Sequence, residues 1–151
     1  MKEMLEKGLD FDDDPLNATG VSRKSLVIFF LIDTSGSMKG TKMGELNTAM
    51  EELLPEIRRI GEADTDVKVA VLTFSTNLAW MYSEPISIED FEWNRLSANG
   101  ITNMGAAFEE LALRLSRNSF LNSPSLSFAP VIFLMTDGYP SDNYKEGLKK
   151  L

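Results

Sequence analysis

The hydrophobic positions of this chain fall into two patterns, unbroken apolar runs and stripes at helical spacing. Ser25 to Ile32 (SLVIFFLI) is a continuous apolar run that ends in polar residues, the pattern of a strand buried on both faces of a parallel sheet. It predicts a strand near the sheet centre. From Lys42 onward, Met43, Leu46, Met50, Leu53, Leu54, Ile57 and Ile60 recur at helical spacing and form one apolar stripe. Pro55 is expected to kink that helix and Gly61 to end it. Val67 to Phe74 (VKVAVLTF) is rich in β-branched residues and reads as a second strand. Ser75-Thr76-Asn77 is a turn signal leading to a short strand around Ala79 to Tyr82, which predicts a hairpin at a sheet edge.

Ser87 and Asp90 have capping-box spacing before Phe91 and Leu96, which predicts a short helix. Met104, Phe108, Leu111 and Leu115 mark another amphipathic helix that begins directly after Thr102. Ser116 to Pro130 is rich in Ser, Asn and Pro and reads as a connecting loop, after which Val131 to Met135 (VIFLM) is expected to be another fully buried strand. A last helix is expected over Tyr144 to Leu151. Strands alternating with helices imply an α/β fold, a doubly wound, mostly parallel open sheet with helices on both faces, which binds ligands at the carboxyl ends of its strands. Residues 1–24 carry an acidic cluster at Asp10, Asp12, Asp13 and Asp14 and no sustained periodicity, so they read as a loosely ordered acidic lead to a domain over 25–151.

Length and composition narrow the function classes. A chain of 151 residues fits one domain, and with 43% hydrophobic and 25% charged residues it can bury a core. A formal net charge of -8 disfavours unaided binding to nucleic acid or to anionic membranes, and matches small cations and basic partners better. With neither cysteine nor histidine, thiol nucleophiles, Ser-His-Asp triads, disulfides and the usual zinc sites are excluded together. Any metal must be bound by oxygen. Met1 to Asp14 lacks the apolar core of a secretory signal, and the longest apolar run is far shorter than a membrane span. A cytoplasmic location is the expectation.

Three polar clusters adjoin these elements: Asp33-Thr34-Ser35-Gly36-Ser37 after the first strand, Gly100-Ile101-Thr102-Asn103 before a helix, and Thr136-Asp137-Gly138 after the last strand. In a parallel sheet they converge on one rim. Two ionised carboxylates about 4 Å apart repel by about 4 kcal/mol at an effective dielectric of ~20. A hard cation offsets that repulsion, and carboxylate and hydroxyl oxygens are the ligands that Mg²⁺ prefers. Mg²⁺ also tends to keep some water, so a site with few direct protein ligands leaves a position for an incoming oxygen, such as a partner's Glu or Asp.

D-T-S-G-S after a buried strand, a downstream G-I-T-N and a T-D-G after another buried strand together resemble the metal-ion-dependent adhesion site of von Willebrand factor A domains. The resemblance runs from about Ser25 to the end of the chain. The strings L-N-T-A-M and F-A-P-V-I-F-L-M-T-D-G-Y-P-S-D look like the bacterial branch associated with tellurium-resistance and stress-response gene clusters. The resemblance implies a non-enzymatic module that binds a protein partner through one divalent cation, Mg²⁺ or Mn²⁺ in preference to Ca²⁺. It implies that Ser35, Ser37 and Thr102 offer hydroxyls to the metal. Asp33 and Asp137 would act mainly through water or accept hydrogen bonds from the hydroxyl ligands.

Other readings of these residues are open. Thr102 could simply cap the following helix, and Asp137-Gly138 could be only a turn, with Asp142 and Asn143 as loop polars. A hydrolase or phosphotransferase using Asp33 is a rival, yet Thr34 and Ser35 both intervene before Gly36, and Ser35 stands where a second Asp would be needed. An interaction domain with a vestigial metal site is another. Met43, Met50 and Met104 read as core, and Trp80, Tyr82 and Trp93 read as packing residues before partner contacts. Only fourteen residues follow Asp137, where the family continues with further helices and strands. The last strand is therefore expected to leave an apolar edge that a second copy or a partner covers.

Overall fold

The computed structural model describes residues 24–61, 64–116, 128–138 and 141–151. The elements run β1 (Lys24–Asp33), a 3-10 turn (Gly36–Met38), α1 (Thr41–Gly61), β2 (Thr65–Phe74), β3 (Leu78–Trp80), β4 (Ile86–Ser87), α2 (Met104–Leu115), β5 (Val131–Met135) and α3 (Tyr144–Lys150). The strands form one five-stranded sheet in the order β3-β2-β1-β5, with β4 also paired to β2. Pairing is parallel between β1 and β2, from Lys24 opposite Thr65 to Asp33 opposite Phe74, and between β1 and β5, from Ile28 opposite Val131 to Ile32 opposite Met135. β3 and β4 run antiparallel to β2.

The unbroken apolar run of β1 follows from its place between two neighbours with a helix layer on each face. Val27, Phe29 and Leu31 of β1 join Ala70, Leu72 and Phe74 of β2 in a core with Met104, Ala107, Phe108 and Leu111 of α2. The intervening residues Ile28, Phe30 and Ile32, with Val67, Val69 and Val71, face Met50, Leu54 and Ile57 of α1. This is the doubly wound α/β arrangement, and it directs the carboxyl ends of three parallel strands to one rim. α3 docks against α2 at a glycine contact: a Cβ on Gly147 would collide with the Gly105 carbonyl oxygen.

Three expectations are corrected. β5 has exposed side chains instead of being fully buried, and Phe133 keeps 45% of its surface accessible while stacking on Phe30 at 5.3 Å; the expected apolar edge is present, since β5 ends the sheet among the described residues. A short run of five apolar residues does not reveal whether a layer covers both its faces. The helix expected after Ser87 is absent: Ser87 donates to Glu89 instead of capping, and residues 91–99 form no regular element. Within the stripe of α1, Leu53 and Ile60 are exposed, while the polar Asn47 is buried. Pro55 lies inside α1, and Gly61 is its last residue. The acidic lead and most of the Ser116 to Pro130 loop lie outside the described residues. Trp80, Tyr82 and Trp93 are tied into the fold through Glu110, the Glu92 carbonyl and Asn47 respectively.

The segment after β4 is held by polar side chains of α1, which take over hydrogen bonds that a helix would have made itself. Asn47 donates to the carbonyls of Met43 and Leu96 and accepts from the Leu96 N–H and the Trp93 ring N–H, all within 2.7–2.9 Å. Arg58 donates to the carbonyls of Ile88 and Phe91. Every polar atom of the buried Asn47 amide is thereby satisfied, so removing the amide leaves buried donors and acceptors unpaired. Asn47→Leu is expected to cost about 2–4 kcal/mol, read as a lower urea midpoint at unchanged slope. An unaltered midpoint would show that the amide network contributes nothing.

Candidate metal centre

The register fixes the geometry of the rim. Because Ile32 pairs with Met135, Thr136 stands level with Asp33, and its hydroxyl donates to Asp33 Oδ2 at 2.7 Å. The Ser35 N–H donates to Asp33 Oδ1 at 2.8 Å. Asp33 has no exposed surface. Thr34 secures the turn by donating its N–H and its hydroxyl to the Phe74 carbonyl. The hydroxyl oxygens of Ser35 and Ser37 lie 3.2 Å apart, and Ser37 Oγ donates to Asp137 Oδ1 at 2.9 Å. The Lys42 ammonium, from the first turn of α1, donates to Asp137 Oδ2 at 2.6 Å. That hydrogen bond, ahead of the opposing effect of burial and the further bond from Ser37, holds the Asp137 carboxyl below its ordinary range.

A second loop docks against the first. The Gly36 N–H donates to the Gly100 carbonyl at 2.8 Å, and the Asn99 N–H to the Thr34 carbonyl at 2.7 Å. Gly100 adopts φ +88°, and a Cβ there would overlap the Thr76 hydroxyl, so both backbone and space require glycine. The Ser75-Thr76-Asn77 turn holds the next residues: Thr76 Oγ accepts from the Ile101 N–H, and its carbonyl accepts from the Asn103 amide. Thr102 is clamped by Ser141, whose hydroxyl accepts the Thr102 N–H at 3.0 Å and whose N–H donates to the Thr102 carbonyl at 2.6 Å. Thr102 is buried, and among the described residues its hydroxyl has no hydrogen-bond partner.

Asp33, Ser35, Ser37 and Asp137 are therefore joined in one chain of contacts. Thr102 follows two residues after Gly100, whose carbonyl accepts the Gly36 N–H, and makes no direct bond to the other four. Three features fit a hard divalent cation. The Ser35–Ser37 oxygen separation of 3.2 Å is near the ~3.0 Å edge of an octahedron with bonds of about 2.1 Å. The buried Asp33 carboxylate has two neutral donors and, among the described residues, no cationic partner, which leaves a buried charge uncompensated. The buried Thr102 hydroxyl is unused among the described residues. No cluster of three or more Asp or Glu side chains forms among the described residues, so the oxygens of such a site would come largely from hydroxyls.

Three contributors escaped the sequence reading. Thr136 belongs to the T-D-G string, yet only the strand register shows it bonding to Asp33. Lys42 reads locally as an ordinary first-turn residue. Asp142, read as a loop polar, caps α2 from outside: its two oxygens accept the N–H groups of Gly105 and Ala106 at 2.8 and 3.0 Å. Asn103 occupies the N-cap position without a side-chain cap bond, and the capping role considered for Thr102 is not the one it fills. No local signal links Asp142 to a helix that begins 38 positions earlier.

The family model for the von Willebrand factor type A domain matches residues 28–151. No curated protein matches the chain.

Asp142→Ala is expected to lower stability by about 1–2 kcal/mol, the usual cost of losing a helix cap, while Asp142→Asn retains acceptor capacity and loses less. Chemical denaturation of both variants checks this. Equal midpoints for Asp142→Ala and the parent chain would remove the capping role.

Proposed function

The chain belongs to the von Willebrand factor type A family, and from that premise we propose that its rim is a metal-ion-dependent adhesion site serving a non-catalytic interaction module. Ser35, Ser37 and Thr102 would hold one Mg²⁺ or Mn²⁺ through their hydroxyls, with Asp33 and Asp137 acting from outside that shell. The bound ion would supply Lewis acidity toward a carboxylate oxygen offered by a Glu or Asp of the partner. The observation that carries this reading is the buried Asp33 carboxylate at the end of the central strand, bonded among the described residues only to neutral donors and lying beside close-set serine hydroxyls. Ca²⁺ suits the site less, since it takes more ligands at longer distances than this compact hydroxyl pair favours.

The L-N-T-A-M string and the residues around T-D-G support a role in a bacterial stress or tellurium-resistance system, working in the cytoplasm. No helix among the described residues is long and apolar enough to cross a membrane. The outer edge of β5 pairs with no strand among the described residues and carries accessible Val131, Ile132, Phe133 and Leu134. An edge of this kind templates pairing with another chain, and a second copy is the proposed occupant.

Titration calorimetry with Mg²⁺ and with Mn²⁺ should show one bound ion per chain. Asp33→Ala should weaken binding about 10- to 100-fold, the usual effect of removing a group that orients metal ligands. Absence of heat with both ions in the parent chain would refute the metal site, and turnover of phosphoesters or peptides at enzyme-like rates would refute the non-catalytic assignment. Sedimentation should show concentration-dependent dimerisation that Phe133→Lys abolishes. A monomer at high concentration would sink the edge assignment.

A further inference from the structure

Lys42 is the least expected member of the rim. It sits in the first turn of α1, where the helix dipole disfavours a cation, and its ion pair reaches across 95 positions of sequence to Asp137 Oδ2. The other oxygen of Asp137 is already taken by the Ser37 hydroxyl, so the ammonium occupies the acceptor that remains. The Lys42 side chain is 57% exposed while that of Asp137 is 14% exposed. The lysine can therefore swing into solvent with little loss of packing, whereas the carboxylate stays on the rim. No hydrogen bond joins Lys42 to Asp33 or to the serines.

We propose that Lys42 is a tethered competitor for the divalent cation, which occupies Asp137 while the site is empty of metal and gives it up when the ion loads. This rests on the metal-site reading above. The reasoning is electrostatic. A dication beside Ser37 draws on the same carboxylate as the ammonium, and two positive centres sharing one acceptor repel each other. Part of the binding free energy of the metal is spent displacing Lys42, so the lysine sets the ion concentration at which the site fills. A merely structural pairing would instead hold Asp137 in place and help the ion to bind.

The test is Mn²⁺ and Mg²⁺ titration of the parent chain, Lys42→Gln and Lys42→Arg, each first checked for folding by circular dichroism. Competition predicts that Lys42→Gln binds about two- to fivefold tighter, the scale of an exposed ion pair, and that Lys42→Arg behaves like the parent. It also predicts that the Lys42 ammonium resonance, identified by its loss in Lys42→Gln, shifts as Mg²⁺ saturates the parent chain. Equal or weaker binding by Lys42→Gln, or a resonance indifferent to Mg²⁺, overturns the competition and leaves the metal site standing. If neither the parent nor Lys42→Gln binds either ion, the metal site falls and the competition falls with it.

Discussion

Asp33 ends the central strand inside the protein, and the rim is organised by what a buried carboxylate demands. Its charge cannot be solvated by water, so each oxygen must accept hydrogen bonds from the fold. One comes from the Ser35 backbone, which requires the chain to turn immediately after β1. The other comes from Thr136, which requires β5 to lie parallel to β1 and to end at the same height. Shifting the β5 register by one residue would send Thr136 to the other face and leave Asp33 Oδ2 without its donor. The strand order and the site chemistry are thus consequences of one constraint.

The loops that complete the rim are positioned by side chains borrowed from distant parts of the chain. Asn47 and Arg58 of α1 anchor the irregular segment that leads toward Gly100. Thr76 holds the Gly100 to Asn103 turn from one side, and Ser141 and Asp142 hold Thr102 and the start of α2 from the other. Each anchor is a polar side chain bonded to backbone, which fixes a loop without requiring it to form a helix or strand. Thr102 is consequently presented by a loop whose backbone is held by these bonds, and its hydroxyl is left over among the described residues.

Much of this was legible in the sequence for a physical reason. SLVIFFLI and VKVAVLTF could be read as parallel strands because interior strands of a doubly wound sheet need apolar residues on both faces, and the α1 and α2 stripes follow from burying one side of a helix. The polar clusters could be located because they directly follow or precede those elements. The misreadings share a cause: burial and partnership at long range leave no local trace. VIFLM is as apolar as a fully buried strand, yet its side chains are exposed. Ser87 and Asp90 have the spacing of a cap, but β4 pairs with β2 and the following carbonyls are taken by Arg58. Asp142 and Lys42 act on positions 37 and 95 residues away in sequence.

The two carboxylates of the proposed site differ in what they can do. Asp33 is buried, and each of its oxygens accepts one hydrogen bond from a neutral donor, so it would contribute negative potential without being neutralised by a neighbouring cation among the described residues. Asp137 is partly reachable from solvent and accepts one bond from Ser37 and one from Lys42. A cation held mainly by neutral serine and threonine hydroxyls keeps more of its charge than one wrapped in carboxylates, because its nearest ligands neutralise none of it. Such an ion attracts an external carboxylate more strongly than a carboxylate-rich cage would, and the cost is weaker retention of the ion itself. In the proposed site the negative charge would lie one step back from the metal, an arrangement suited to binding an acidic partner reversibly and poorly suited to storing a metal.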